Sequence, residues 1–196
     1  PIYRVEEGKE NMHKNEATFQ KTRDLLYGGV NSAFIAPEGN CVLEKRLRPF
    51  KTGCARLAFK MMEEKNWEID VKILPAGVNY TYHDLFRSEA YVKLGKPLSV
   101  QQYRSTYEQD QAEGIRQLTA DMHHALKQEM VHVAPEDAVV TEKVFPLIRN
   151  NFKRGIFPLY SRKSFLFDEE QRVANYISEL AETEKETLEK QVDEYT

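Results

Sequence analysis

Cysteine is nearly absent from this chain of 196 residues: Cys41 and Cys54 are its two. That count excludes a fold stapled by a disulfide framework and makes a reducing compartment the expectation. No apolar run approaches the roughly 18 residues that cross a bilayer, and no signal-peptide core is present. Internal repeats and low-complexity segments are missing too. What the chain does have is 41% hydrophobic and 30% charged residues. Disorder is thereby excluded, and there is apolar material for one good core with an appendage.

Charge is balanced overall, with 28 Lys and Arg against 31 Asp and Glu, but not locally. Residues 1–60 carry 11 basic and seven acidic side chains, whereas residues 61–196 carry 17 and 24. Within 43–60, Lys45, Arg46, Arg48, Lys51, Arg56 and Lys60 face only Glu44. A local positive field suits phosphates or anionic headgroups, or else marks a solvated face. The pI near 6.0 and the lack of a basic-aromatic motif leave nucleic acid without support.

The first hundred residues alternate strand and helix signals. Ile2–Val5 reads as a strand, residues 14–27 as a helix stopped by Gly28-Gly29, and Val30–Ala36 as a strand ended by Pro37. Ala55, Ala58, Phe59 and Met62 recur at helical spacing over 52–65. Ile69–Leu74, Val78–Tyr82 and the alternating Ala90, Val92 and Leu94 complete the strand candidates. The expected class is α/β, a mixed sheet flanked by helices over 1–100, followed by an all-α extension over 101–196. In the extension, a long helix over 101–130 carries Ile115, Leu118, Met122 and Leu126. A helix after Pro135 should kink or split at Pro146. Asp168 and Gln171 mark another helix start, and the acidic tail from Ala181 should fray.

The most specific segment is Phe34-Ile35-Ala36-Pro37-Glu38-Gly39, followed by Phe50-Lys51-Thr52-Gly53-Cys54-Ala55-Arg56. A strand ending at Pro37 sets Glu38 and Gly39 at its carboxyl end, where open α/β sheets bind ligands. Lys51-Thr52-Gly53 then opens a helix whose free amides and dipole favour an anion. A strand-loop-helix connection with no ligand is the plain alternative.

These residues resemble the glycerolipid acyltransferases, the lysophosphatidate acyltransferase group in particular. That family has a Phe-Pro-Glu-Gly motif leading into Lys-Thr-Gly-x-Ala-Arg. Pro1-Ile2-Tyr3-Arg4 with Asn15-Glu16-Ala17-Thr18-Phe19 is similar to its second motif. Leu74-Pro75-Ala76-Gly77-Val78, Phe86-Arg87-Ser88 and Leu94-Gly95-Lys96-Pro97-Leu98 are similar to its fourth motif and closing strand. The resemblance covers about half of the chain. It departs at Ala36, where the family usually has Phe, and at Asn40-Cys41, where Thr or Ser usually follows the glycine.

The resemblance implies acyl transfer from acyl-CoA or acyl-carrier protein to a hydroxyl of a lysophosphatidate or glycerol-phosphate acceptor, with no cofactor beyond the acyl donor and no metal. It places Arg4, Glu38 and Gly39 on the acceptor and its phosphate, and Pro75 near the acyl donor; Lys51 is a further candidate for phosphate. Membrane-surface contact and a cytoplasmic location, peripheral or anchored, go with that reading. The family's catalytic His-x-x-x-x-Asp lies upstream of the second motif, so no catalytic residue is expected in this chain. Because the chain starts at Pro1 within the second motif, it reads as a piece whose beginning lies elsewhere, and inactive alone. A non-catalytic lipid-binding relative and an enzyme acting on another lysolipid or an amino-acid lipid share the same motifs.

The remaining candidates are weaker. His132 and Asp137 have the catalytic spacing but the wrong order, and Pro135-Glu136-Asp137 suits a first helical turn. His123 and His124 point about 100° apart on a helix, against a shared metal. His83-Asp84 is a possible acceptor-site pair, Cys41 a spectator thiol and Cys54 a packed one. Tyr80, Tyr82 and Trp67 line an acyl groove or belong to the core. Arg48 is a candidate for phosphate or CoA, while Lys45 and Arg46 are expected to face solvent or membrane.

Overall fold

The computed structural model describes residues 15–39, 44–82, 88–151 and 165–195. The expected strand Ile2–Val5 and the candidates Arg4, Cys41 and His83-Asp84 lie outside them. The described residues are mostly helical with small antiparallel sheets, α/β in the broad sense. The chain divides into two compact units, one of Pro1–Asn40, Phe50–Ile73 and Leu98–Asp121, the other of Cys41–Pro49, Leu74–Pro97 and Met122–Thr196.

In the first unit, α1 spans Asn15–Tyr27 and α2 spans Gly53–Glu64. The apolar stripe of α2 is buried as its spacing predicts, with Phe59 and Met62 wholly inaccessible. Phe59 stacks on Tyr107 at 4.1 Å between ring centroids, and Trp67 closes the cluster. Trp67, half-buried, therefore packs on the edge of this unit's aromatic cluster. Strand β1, Lys72–Ile73, pairs antiparallel with β4, Leu98–Ser99. On α1, the buried Arg23 reaches Glu16 at 2.9 Å and Glu64 of α2 at 3.1 Å.

The helix predicted over 101–130 is broken. A 3-10 turn over Val100–Tyr103 leads to α3, Arg104–Gln109, and then to α4, Gln111–Lys127. Asp110 between them is extended, and its Oδ1 accepts the N–H groups of Ala112 and Glu113. That is an N-cap, three residues before Glu113, and it restarts the helix.

In the second unit, β2, Ala76–Tyr80, pairs with β3, Ala90–Leu94, in the register Val78↔Val92. Helices α5, Ala138–Asn151, α6, Phe165–Glu179, and α7, Glu182–Tyr195, follow. Val131, Phe145, Phe167 and Ala174 form the core. Asn79 braces the segment after α4: its Nδ2 donates to the Glu129 carbonyl, and its Oδ1 accepts the Val131 N–H.

Three expectations change. The sheet is not one mixed layer; the described residues hold two separate two-stranded antiparallel sheets. Val30–Ala36 has no ladder partner among them, and Val30 and Phe34 are more than four-fifths exposed. Alternating apolar residues favour a strand only where a neighbour accepts their backbone bonds. Next, α5 runs unbroken through Pro146. The acidic tail, finally, is the helix α7. Lys185 pairs with the buried Asp137 at 2.6 Å, Lys143 meets Glu189 and Asp193, and Val192 is buried.

Candidate functional site

Proline ends the extended segment at Pro37, and the chain turns over 36–39, with the Gly39 N–H donating to the Ala36 carbonyl at 3.2 Å. Gly39 closes the turn at φ +77°, a conformation that L side chains rarely adopt. The Lys51 N–H donates to the Pro37 carbonyl at 2.9 Å, tying this turn to the residues before α2. A Cβ placed on Gly39 would lie 3.0 Å from Lys51 Nζ and 3.1 Å from its Cδ and Cε. Glycine is thus what lets the lysine lie across the turn. Glu38, half-buried, stands between Pro37 and Gly39 in the turn.

The start of α2 adds donors. Thr52 at its N-cap makes no side-chain capping bond, and its hydroxyl accepts Arg56 Nε–H at 3.2 Å. The first-turn amides, pointing out of the helix N-terminus, keep their affinity for an anion. Lys51 and Arg56 are both exposed beside them. Chemically, the 36–56 segment offers two cations, a row of amides and one carboxylate within a glycine turn. Such a set suits a phosphate attached to a hydroxylated carbon chain. Cys54, next in α2, is half-buried, and burial pushes its thiol up, away from the thiolate form.

The structure thus brings Glu38, Gly39 and Lys51 together in the first unit. Pro75 is a buried residue of the second unit, where its carbonyl accepts the Gly95 N–H at 2.9 Å.

Both ends of the literal His-x-x-x-x-Asp of the second unit are engaged by other groups. His132 Nδ1 accepts the Leu47 N–H at 3.1 Å, while Asp137 is bound to Lys185. Lys45 does not face solvent as expected: its ammonium and the Arg149 guanidinium both hold the carboxylate of Glu170, which is 2% exposed. Arg46 and Arg48 each pair with Glu44. Half of the basic stretch is therefore matched internally by carboxylates, and Lys51, Arg56 and Lys60 carry the remainder. Tyr82 lies under Arg149 at 4.4 Å, and Tyr80 is half-exposed on β2.

Sequence reading missed Glu170 as the partner of Lys45. It also missed Glu129, whose backbone fills the space beside Gly77. Among the described residues, no group of three or more His, Cys, Asp or Glu side chains is arranged to hold a metal ion. Among the same residues, no helix is long and apolar enough to cross a membrane.

A glycine turn carrying an acid is thus tied to a lysine-led helix start. Residues 1–79 match the family model Acyltransferase. Among curated relatives, glycerol-3-phosphate O-acyltransferase 1 of Saccharomyces cerevisiae is 39% identical over 70 residues, 36% of this chain and 9% of the relative. An uncharacterized acyltransferase of Schizosaccharomyces pombe is 28% identical over 104 residues, 50% of this chain and 15% of the relative. The matched part of the chain is therefore a small fraction of either relative's length. No solved structure matches the chain.

Proposed function

We propose that this chain is part of a glycerolipid acyltransferase and supplies its acceptor-binding segment. The acceptor is a glycerol-phosphate or lysophosphatidate type of molecule, and the donor is acyl-CoA or acyl-carrier protein, with no other cofactor. Residues 1–100 supply the acyltransferase core, and 101–196 are a helical extension. The protein works on the cytoplasmic side, at the membrane surface where its lipid substrates reside.

The observation that carries this reading is the tie between the 36–39 turn and Lys51 within the segment matched by the family. Lys51, the first-turn amides of α2 and Arg4 hold the phosphate, Arg4 in two-pronged fashion. Glu38 accepts a hydrogen bond from a glycerol hydroxyl and so orients the acceptor. The reacting hydroxyl attacks the thioester carbonyl, a C–O bond forms, and the C–S bond breaks. Its proton passes to the histidine of a His-x-x-x-x-Asp segment that precedes these motifs in the whole protein, and then to the departing thiolate. No covalent enzyme intermediate is needed. Pro75 lines the side of the acyl donor.

The test is an acceptor panel on the whole protein, with glycerol 3-phosphate, lysophosphatidate and a phosphate-free monoacylglycerol. Lys51→Ala and Arg4→Ala should each lower kcat/KM for the phosphate-bearing acceptors about 10- to 100-fold, the worth of one charge-assisted bond. The phosphate-free acceptor should be spared. Unchanged activity of Arg4→Ala on every acceptor would remove the phosphate clamp.

A further inference from the structure

Within the second unit, the C-terminal turns of α4, one face of α6 and the chain leading from α4 enclose a groove of about 340 Å³. His124 and Lys127 come from α4, Gln171 and Asn175 from α6, and Gln128, Met130 and His132 from the connecting chain. No lining residue is acidic. The volume lies within the range of small-molecule sites.

The cations and ring nitrogens here are not accounted for by the helix end they sit on. Cations at a helix C-terminus commonly serve its unpaired carbonyls. Here the Gln128 carbonyl accepts from Lys93 Nζ and from Gln171 Nε2, both at 3.2 Å. Lys127 has no ion pair among the described residues. His132 Nδ1 accepts the Leu47 N–H, so the neutral ring keeps its proton on Nε2. His124 Nε2 lies 3.0 Å from Gln128 Nε2, and in the tautomer that accepts from this amide the ring proton is on Nδ1. Burial first, and then positive charge from Lys127, His123 and Arg46, hold the His132 imidazolium form down, although Glu136 opposes them. An anion in the groove would reverse that balance.

We propose that this groove binds a small phosphomonoester, with Lys127 as the charge, the His132 and His124 ring N–H groups as oriented donors and the Asn175 carboxamide beside them. A lone monatomic ion would leave most of the volume empty, and Met130 gives the organic part an apolar wall. A tetrahedral group with three exposed oxygens matches donors arriving from two helices and a connecting segment. This inference concerns residues outside the 36–56 segment and does not depend on the acyl-transfer reading.

The experiment is an NMR titration of the histidine ring signals of the 196-residue chain. The ligands are ribose 5-phosphate, inorganic phosphate and vesicles of phosphatidylcholine with phosphatidate. Ribose 5-phosphate should shift His132 and His124 saturably, with Kd about 1 mM and tighter than inorganic phosphate. Lys127→Ala should weaken it about tenfold, the effect of losing one charge-assisted bond. Lys60→Ala, on α2, should leave it unchanged. Absence of saturation by 20-fold the expected Kd would overturn the proposal, as would equal weakening by both variants. Response to phosphatidate vesicles alone would also overturn it and assign the surface to membrane.

Discussion

The backbone N–H of Leu47 donates to Nδ1 of His132 at 3.1 Å, and that bond disfavours any proton on the accepting nitrogen. Burial, followed by Lys127, His123 and Arg46, lowers the ring below its ordinary 6.5. The unfolded chain therefore binds this proton first as pH falls, and stability declines from about pH 6.5 down through the lower folded midpoint. Above pH 6.5 the group makes no difference. His132 should titrate below 6.5 by NMR, and in His132→Gln this part of the acid loss should vanish. A midpoint at or above 6.5 would contradict the assignment.

Glu170 holds Lys45 and Arg149 at once while nearly inaccessible. Glu170→Gln leaves two cations without their counter-charge, one of them, Lys45, already shifted down by burial. The expected cost is about 3–5 kcal/mol in urea unfolding. Adding Lys45→Met should recover part of it. A cost below about 1 kcal/mol would show that the three groups are solvated in solution.

Two glycines make opposite predictions. A Cβ on Gly77 would overlap the Glu129 carbonyl oxygen and lie 2.6 Å from its carbon, and this neighbour is backbone. Gly77→Ala should cost about 3 kcal/mol or more, judged by thermal unfolding. Gly53 has nothing within 4 Å of such an atom and begins α2. Gly53→Ala should be neutral or stabilising by about 0.4–1 kcal/mol.

At Gly39 the strain is in the backbone, because φ is +77° and the close neighbour is the far end of a flexible side chain. Gly39→Ala should cost about 1–2 kcal/mol. Measured in a Lys51→Ala background, the cost should change by less than about 0.5 kcal/mol. Activity of the whole protein on phosphate-bearing acceptors should fall all the same, since the methyl displaces the lysine ammonium. A large recovery of stability in the double variant would mean that crowding, not φ, governs the turn.

How much of this was legible depended on distance along the chain. The buried stripe of α2 reads directly because Ala55, Ala58, Phe59 and Met62 recur with the helical period, and the structure buries all four. The break at Asp110 was written locally, as an aspartate three residues before Glu113, but a continuous apolar stripe from Ile115 to Leu126 masked it. Glu170 was beyond reach: nothing near it in sequence says that its partner is Lys45, 125 residues away. At the candidate site, Glu38, Gly39 and Lys51 were legible as a pattern. That the Lys51 side chain occupies the space a Gly39 side chain would need was not, because it follows from backbone angles.

The final helix is fastened in two ways. Lys185 and Asp137 meet where both side chains are under a tenth exposed, so dissolved ions hardly weaken them, whereas Lys143 meets Glu189 and Asp193 where water and salt reach all three. The end of the chain therefore behaves as a flap with one salt-proof rivet and one salt-soluble seam. Rising ionic strength should free its outer turns first and leave its beginning in place.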